Sequence, residues 1–150
     1  MTMNYSSRRL AVALMGSAAI VFGADELSTR ARQLELQGQS REAKQSLESA
    51  VKAAPRDVAA LTAHAEFLDG RRDPETRAAY EKLLAVAGAT SPAGKLALRR
   101  LTSLDLLSGN RSSAEQRLGE LRQAGDSRFT LAPSGQTIAS LPQGIIEITG

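Results

Sequence analysis

Residues that break or end helices recur along this chain so often that only short elements fit between them. Gly38, Pro55, Asp73-Pro74, Gly88, Ser91-Pro92 and Gly109 divide the stretch from Asp25 to Gly125 into six segments of about a dozen residues. Within the segments apolar residues fall three or four apart, the spacing that gathers side chains on one face of an α-helix. Leu27, Ala31 and Leu34 make the first stripe, Ala43, Leu47, Ala50 and Val51 the second, and Leu61, Ala65 and Leu68 the third. The segment AAYEKLL marks the fourth helix, Ala97, Leu98, Leu101 and Leu104 the fifth, and Ala114, Leu118 and Leu121 the sixth. Short connections make consecutive helices antiparallel neighbours. The expectation is an all-α fold of three antiparallel helix–turn–helix pairs.

Helix starts carry their own chemistry. Ser40, Asp57 and Ser91 stand where a side-chain oxygen can accept from a free backbone N–H, and Pro92 suits a first helical position. Asp73-Pro74-Glu75 combines capping residue, proline and first-turn acid, while Ser112-Ser113-Ala114-Glu115 reads as a capping box. The core available to these helices is poor in rings. The chain has no Trp and only five aromatic residues, Tyr5, Phe22, Phe67, Tyr80 and Phe129. Leu, Ala and Val on closely approaching helices must fill it, whereas a β-sandwich would use branched and aromatic residues. The absence of Cys removes disulfides and thiolate metal sites.

Residues 1–23 read as a secretory signal peptide. Arg8-Arg9 supplies the positive start, Leu10 to Phe22 the apolar stretch, and Gly23-Ala24 the small residues before acidic Asp25-Glu26, with cleavage expected after Gly23. The apolar stretch would cover about 20 Å as a helix, short of a bilayer core about 30 Å thick. Ser7-Arg8-Arg9 hints at a twin-arginine signal, but Leu10-Ala11-Val12 lacks the expected Phe, so ordinary Sec export is the reading. An uncleaved anchoring helix is the alternative. Export implies a periplasmic or secreted protein. Without the leader the chain has 17 basic and 16 acidic residues, mixed along every helix. That mixture lacks the one-sided basic footprint of a nucleic-acid binder.

The pairs also resemble one another. Ala31, Leu34, Gly38, Ala43, Leu47, Ala50 and Pro55 follow the spacing of small residue, large residue, turn glycine, alanine, large, small and proline. Gly109, Ala114, Leu118 and Leu121 repeat the later part of that pattern 71 residues on, close to two periods of about 34. In this the chain, over residues 24–125, resembles the bacterial exported proteins of the tetratricopeptide repeat family. The middle pair fits only with a one-residue adjustment at Arg71-Arg72, and His64 and Arg72 stand where the family often has other residues. The resemblance implies a curved array with a concave groove for a partner peptide or helix. It places Arg32, Glu35, Thr62, Glu66, Asp69, Arg99, Arg100 and Ser103 on that groove. Its basic end, Arg99-Arg100, would grip an acidic segment or a C-terminal carboxylate.

Residues 126–150 change character. Ser, Pro and Gly interrupt isolated apolar residues, and GIIEITG at the end reads as a short strand. This tail reads as a linker or the start of another domain, or else as a cap on the last pair.

Catalytic patterns fail on inspection. Ala89 to Lys95 approximates a phosphate-binding loop, but Leu96 replaces the hydroxyl that should hold magnesium and Pro92 removes an N–H. Ser49-Ala-Val-Lys52 has no companion motifs. His64, the only histidine, has no visible orienting partner, and capping accounts for Asp73 and Glu75 beside Asp69. No catalytic residue, cofactor or metal is assigned. The leading expectation is an exported protein–protein interaction scaffold. The alternatives are the regulatory or substrate-presenting front end of a longer exported enzyme, and a self-associating structural protein.

Overall fold

The computed structural model describes residues 23–129 and 131, and every regular element among them is helical. The order is α1 (Ala24–Leu36), α2 (Ser40–Ala53), α3 (Val58–Gly70), α4 (Thr76–Ala87), α5 (Pro92–Leu107) and α6 (Arg111–Gln123). The expected leader and the final strand lie outside the described residues. No helix among the described residues is long and apolar enough to cross a membrane.

Consecutive helices pack in pairs, and α1 also packs on α3. No comparably close backbone approach joins α3 to α5. The middle helix has the most neighbours, which explains its residue pattern. Ala60, Leu61, Ala63, Ala65 and Leu68 are all buried, so α3 has no single apolar stripe. Alanines on several faces let α1, α2 and α4 come close to its backbone. Leu27 and Ala31 of α1, Ala43, Leu47 and Val51 of α2, Ala79, Tyr80 and Leu83 of α4, and Ala97 and Leu101 of α5 complete one continuous core. Leu98, Leu118 and Leu121 form a smaller cluster beside it, against which Phe129 and Leu131 of the tail pack.

Four helices end in the same turn. After α1, α5 and α6 a glycine takes the left-handed conformation (Gly38, Gly109 and Gly125, φ 77°, 75° and 80°), and the next N–H closes a six-residue loop. Gln39 N donates to Leu34 O at 2.9 Å, Asn110 N to Asp105 O at 2.8 Å and Asp126 N to Leu121 O at 2.8 Å. After α3 the same turn is built with Arg72 at φ 53°, and Asp73 N donates to Leu68 O at 3.0 Å. The turn that follows, Arg71–Glu75, is longer than Gln37–Gln39 or Ser108–Asn110, which is where the middle pair departs from its neighbours.

Two helix starts differ from expectation. Ser40 is the first residue of α2, not its cap, and Gln39 before it makes no side-chain capping bond. The box at Ser112–Glu115 does not form. The helix begins two residues earlier because Asn110, fixed just after left-handed Gly109, accepts from Ser113 N at 3.2 Å, while Glu115 takes Arg111 at 3.0 Å. Asp57 and Ser91 cap as expected, accepting from Ala59 N and Gly94 N at 2.9 Å each. Asp73 accepts from Glu75 N at 2.9 Å, although the regular helix starts only at Thr76.

The apolar core thins toward the C-terminal half, and buried charge takes over. Asp105 of α5 is 1% exposed. It accepts from Arg77 Nη1 of α4 at 2.6 Å and from Arg117 Nε of α6 at 2.7 Å, tying three helices through one carboxylate. Two outcomes follow for chemical denaturation. Asp105→Ala should cost about 3 kcal/mol, the low end for a broken buried pair because both arginines can turn to water. Arg72→Gly should stabilise by about 0.5–1 kcal/mol, since left-handed strain relieved at a non-glycine residue exceeds the added freedom of the unfolded chain.

Candidate binding cleft

The side-by-side packing of α1 and α3 leaves an open cleft of about 220 Å³. Its small residues, Ala31, Ala63 and Gly70, give it room, and Phe67 supplies an apolar wall. Three of the groove residues expected from the sequence, Arg32, Glu35 and Glu66, line it. Phe67 and Arg71 line it as well, and the sequence reading missed both. Arg71 is fixed from two sides: its guanidinium lies 5.4 Å from the Phe67 ring centroid and pairs with Glu35 across the cleft. The signal that could have found it was the i, i+4 spacing of Phe67 and Arg71 on one helix face. Arg32 and Glu66 are exposed and make no ion pair or hydrogen bond within the described residues. The cleft therefore presents one uncommitted cation, one uncommitted anion and an aromatic edge.

The other five expected groove residues are elsewhere or otherwise engaged. Asp69 accepts from the Tyr80 hydroxyl at 3.1 Å and pairs with Arg100. Burial, reinforced by the Asp69 charge, pushes the Tyr80 phenol well above its ordinary range, and the bond to Asp69 raises Arg100 further. Arg99 faces the tail, donating to buried Asp126 through Nε at 3.0 Å and lying 5.2 Å from the Phe129 ring centroid. Arg128 and Arg99 together hold the Asp126 carboxyl far below the usual carboxylate range. Adjacent in sequence, Arg99 and Arg100 thus serve different carboxylates, and neither is an open cation. The hydroxyls of Thr62 and Ser103 donate to carbonyls of their own helices, Val58 O at 2.7 Å and Arg99 O at 3.1 Å.

The chain matches no protein-family model and no curated protein.

The remaining motifs resolve into structural roles. The would-be phosphate loop is the α4–α5 turn. Ser91 Oγ donates to Gly88 O and accepts from Gly94 N, both at 2.9 Å, so the loop's own groups use its donors. Gly94 is there for space: a Cβ would lie 1.8 Å from Gly88 O. Ser49 and Lys52 are exposed on α2. Asp73 and Glu75 both receive the Lys44 ammonium, at 2.9 and 3.0 Å, so the acids at this turn fasten α2 to it. The Glu75 N–H, then Lys44, lowers the Asp73 carboxyl, and the same pair of acids raises Lys44.

Two glycine-to-alanine changes should have opposite signs in thermal or chemical unfolding. Gly94→Ala drives a methyl into backbone and should destabilise by about 2–3 kcal/mol. Gly119→Ala, inside α6 with nothing within 4 Å of the added carbon, should stabilise by about 0.5–1 kcal/mol.

Proposed function

We propose that this chain is an exported scaffold of the tetratricopeptide kind, which holds a partner peptide or helix in the cleft between α1 and α3. The observation that carries the reading is the cleft itself: an open site with an aromatic wall and two charged groups that have no ion-pair partner among the described residues. The recurrence of one architecture along the chain supports it. Gly38 and Gly109 share a left-handed turn, Ala43 and Ala114 are both fully buried, and Leu47 and Leu118 are 1% and 3% exposed.

Binding at such a cleft would combine burial against Phe67 with recognition of opposite charges by Arg32 and Glu66. Because both groups are exposed and unpaired among the described residues, reversing them leaves the described ion pairs intact. Reversing Arg99 or Arg100 would instead break contacts to Asp126 or Asp69.

The test uses the purified chain as bait against the exported fraction, beside an Arg32→Glu/Glu66→Lys variant checked for unchanged helicity and melting. The expected outcome is a protein retained by the wild type and reduced at least tenfold on the variant. Equal retention would remove the cleft as the contact, and no retained protein on either would sink the scaffold reading.

A further inference from the structure

His64 stands on α3, and among the described residues its Nε2 is buried without a hydrogen-bond partner. It is the only histidine in the chain. A neutral imidazole tolerates an unbonded ring nitrogen at modest cost, but an imidazolium there would bury a charged N–H with no acceptor. The surrounding charges do not repair this. Lys44 and Glu48 of α2, Asp73 and Glu75 of the turn before α4, and Lys82 of α4 act on the ring through their charges. The two acids at the turn are already taken by the Lys44 ammonium. A second positive charge beside it would compete for the same carboxylates.

We propose that His64 is a proton-operated release for α3, neutral in the packed junction of α2, α3 and α4 and incompatible with that packing once protonated. The geometry assigns the effect to α3, whose alanine-lined burial holds the N-terminal half together. Burial sets the direction, lowering the affinity of the ring for a proton, with Glu48 opposing and Lys44 reinforcing. The sign follows. Below about 6.5, the ordinary imidazole value, the unfolded chain binds a proton that the packed chain refuses. Stability is fully present above that pH and is lost as pH falls toward the depressed folded value. The Asp73 and Asp126 carboxylates are held below their ordinary value by the groups that donate to them, so their own contribution is lost only below the ordinary carboxylate range. The inference rests on the packing of α3 alone and holds whether or not the cleft takes a partner.

The experiment follows the single histidine ring signal of the full chain by NMR from pH 8 to 5, together with amide protection in α3 and α6. The expected result is a ring midpoint below about 6.5. Opening of α3 should then rise by up to about tenfold per pH unit as pH falls from about 6.5 toward that midpoint and level off beneath it, with α6 changing less. In His64→Gln the same acid step should leave α3 protection unchanged. A midpoint at or above the ordinary value would overturn the proposal, as would equal loss of protection in wild type and variant. Should the Gln variant fail to fold, His64→Asn takes its place, and the wild-type midpoint decides by itself.

Discussion

The fold depends on how closely other helices can approach α3. A helix of about a dozen residues is marginal alone in water, so each must draw its stability from neighbours. The middle helix supplies the contact surface for most of them. Ala60, Ala63 and Ala65 are at most 2% exposed and put little between the backbones. Larger residues beside them, Leu61 and Leu68, fill the space that remains. Tyr80 is the one ring fully buried among the described residues, because helices this close leave little larger volume to fill. Small residues thus set the spacing of the helices, and the spacing sets the width of the cleft between α1 and α3.

Where the apolar core thins, charge performs a similar service under different physics. Asp105 and Asp126 are both nearly inaccessible, and each is met by two arginines. Such contacts are directional and cost desolvation, so they specify register more than they add stability. Asp105 fixes α4 and α6 to α5. Asp126 fixes the first tail residues to the same helix through Arg99, and the stacked ring of Phe129 follows. The chain therefore uses two methods of joining helices, alanine contact in the first half and buried ion pairs in the second.

Much of this was legible along the chain, and the reason is local. Helix count, the left-handed glycines and the stripes of α2 and α6 follow from periodicity and turn chemistry within a few residues. The caps at Asp57 and Ser91 were legible for the same reason. The errors at Ser40 and Ser112–Glu115 arose where two nearby polar residues could start a helix and the preceding turn chose between them. The site was legible only in part. Arg32, Glu35 and Glu66 meet at one cleft, but Asp69, Arg99 and Arg100 are spent on carboxylate or tyrosine partners 11 to 31 residues away. Helical spacing places a residue on a face; it carries no information about which opposite charge will arrive there.

By itself the sequence determined the six short helices of the described residues, because 3.6-residue periodicity and helix-ending residues act through neighbouring positions. It also determined the composition of the core, since a chain with so few rings has only small and branched residues to bury. Tertiary structure alone decided which charges stay free. Arg71 is held by Glu35 and Phe67, Arg99 by Asp126 and Arg100 by Asp69, while Arg32 and Glu66 have no described partner. It alone decided that Gly94 must be glycine and that the one histidine has a buried, unpartnered nitrogen. The physical reason is common to all of these. Pairing, close approach and burial depend on atoms brought together by folding, and the identity of a residue does not record its neighbours in space.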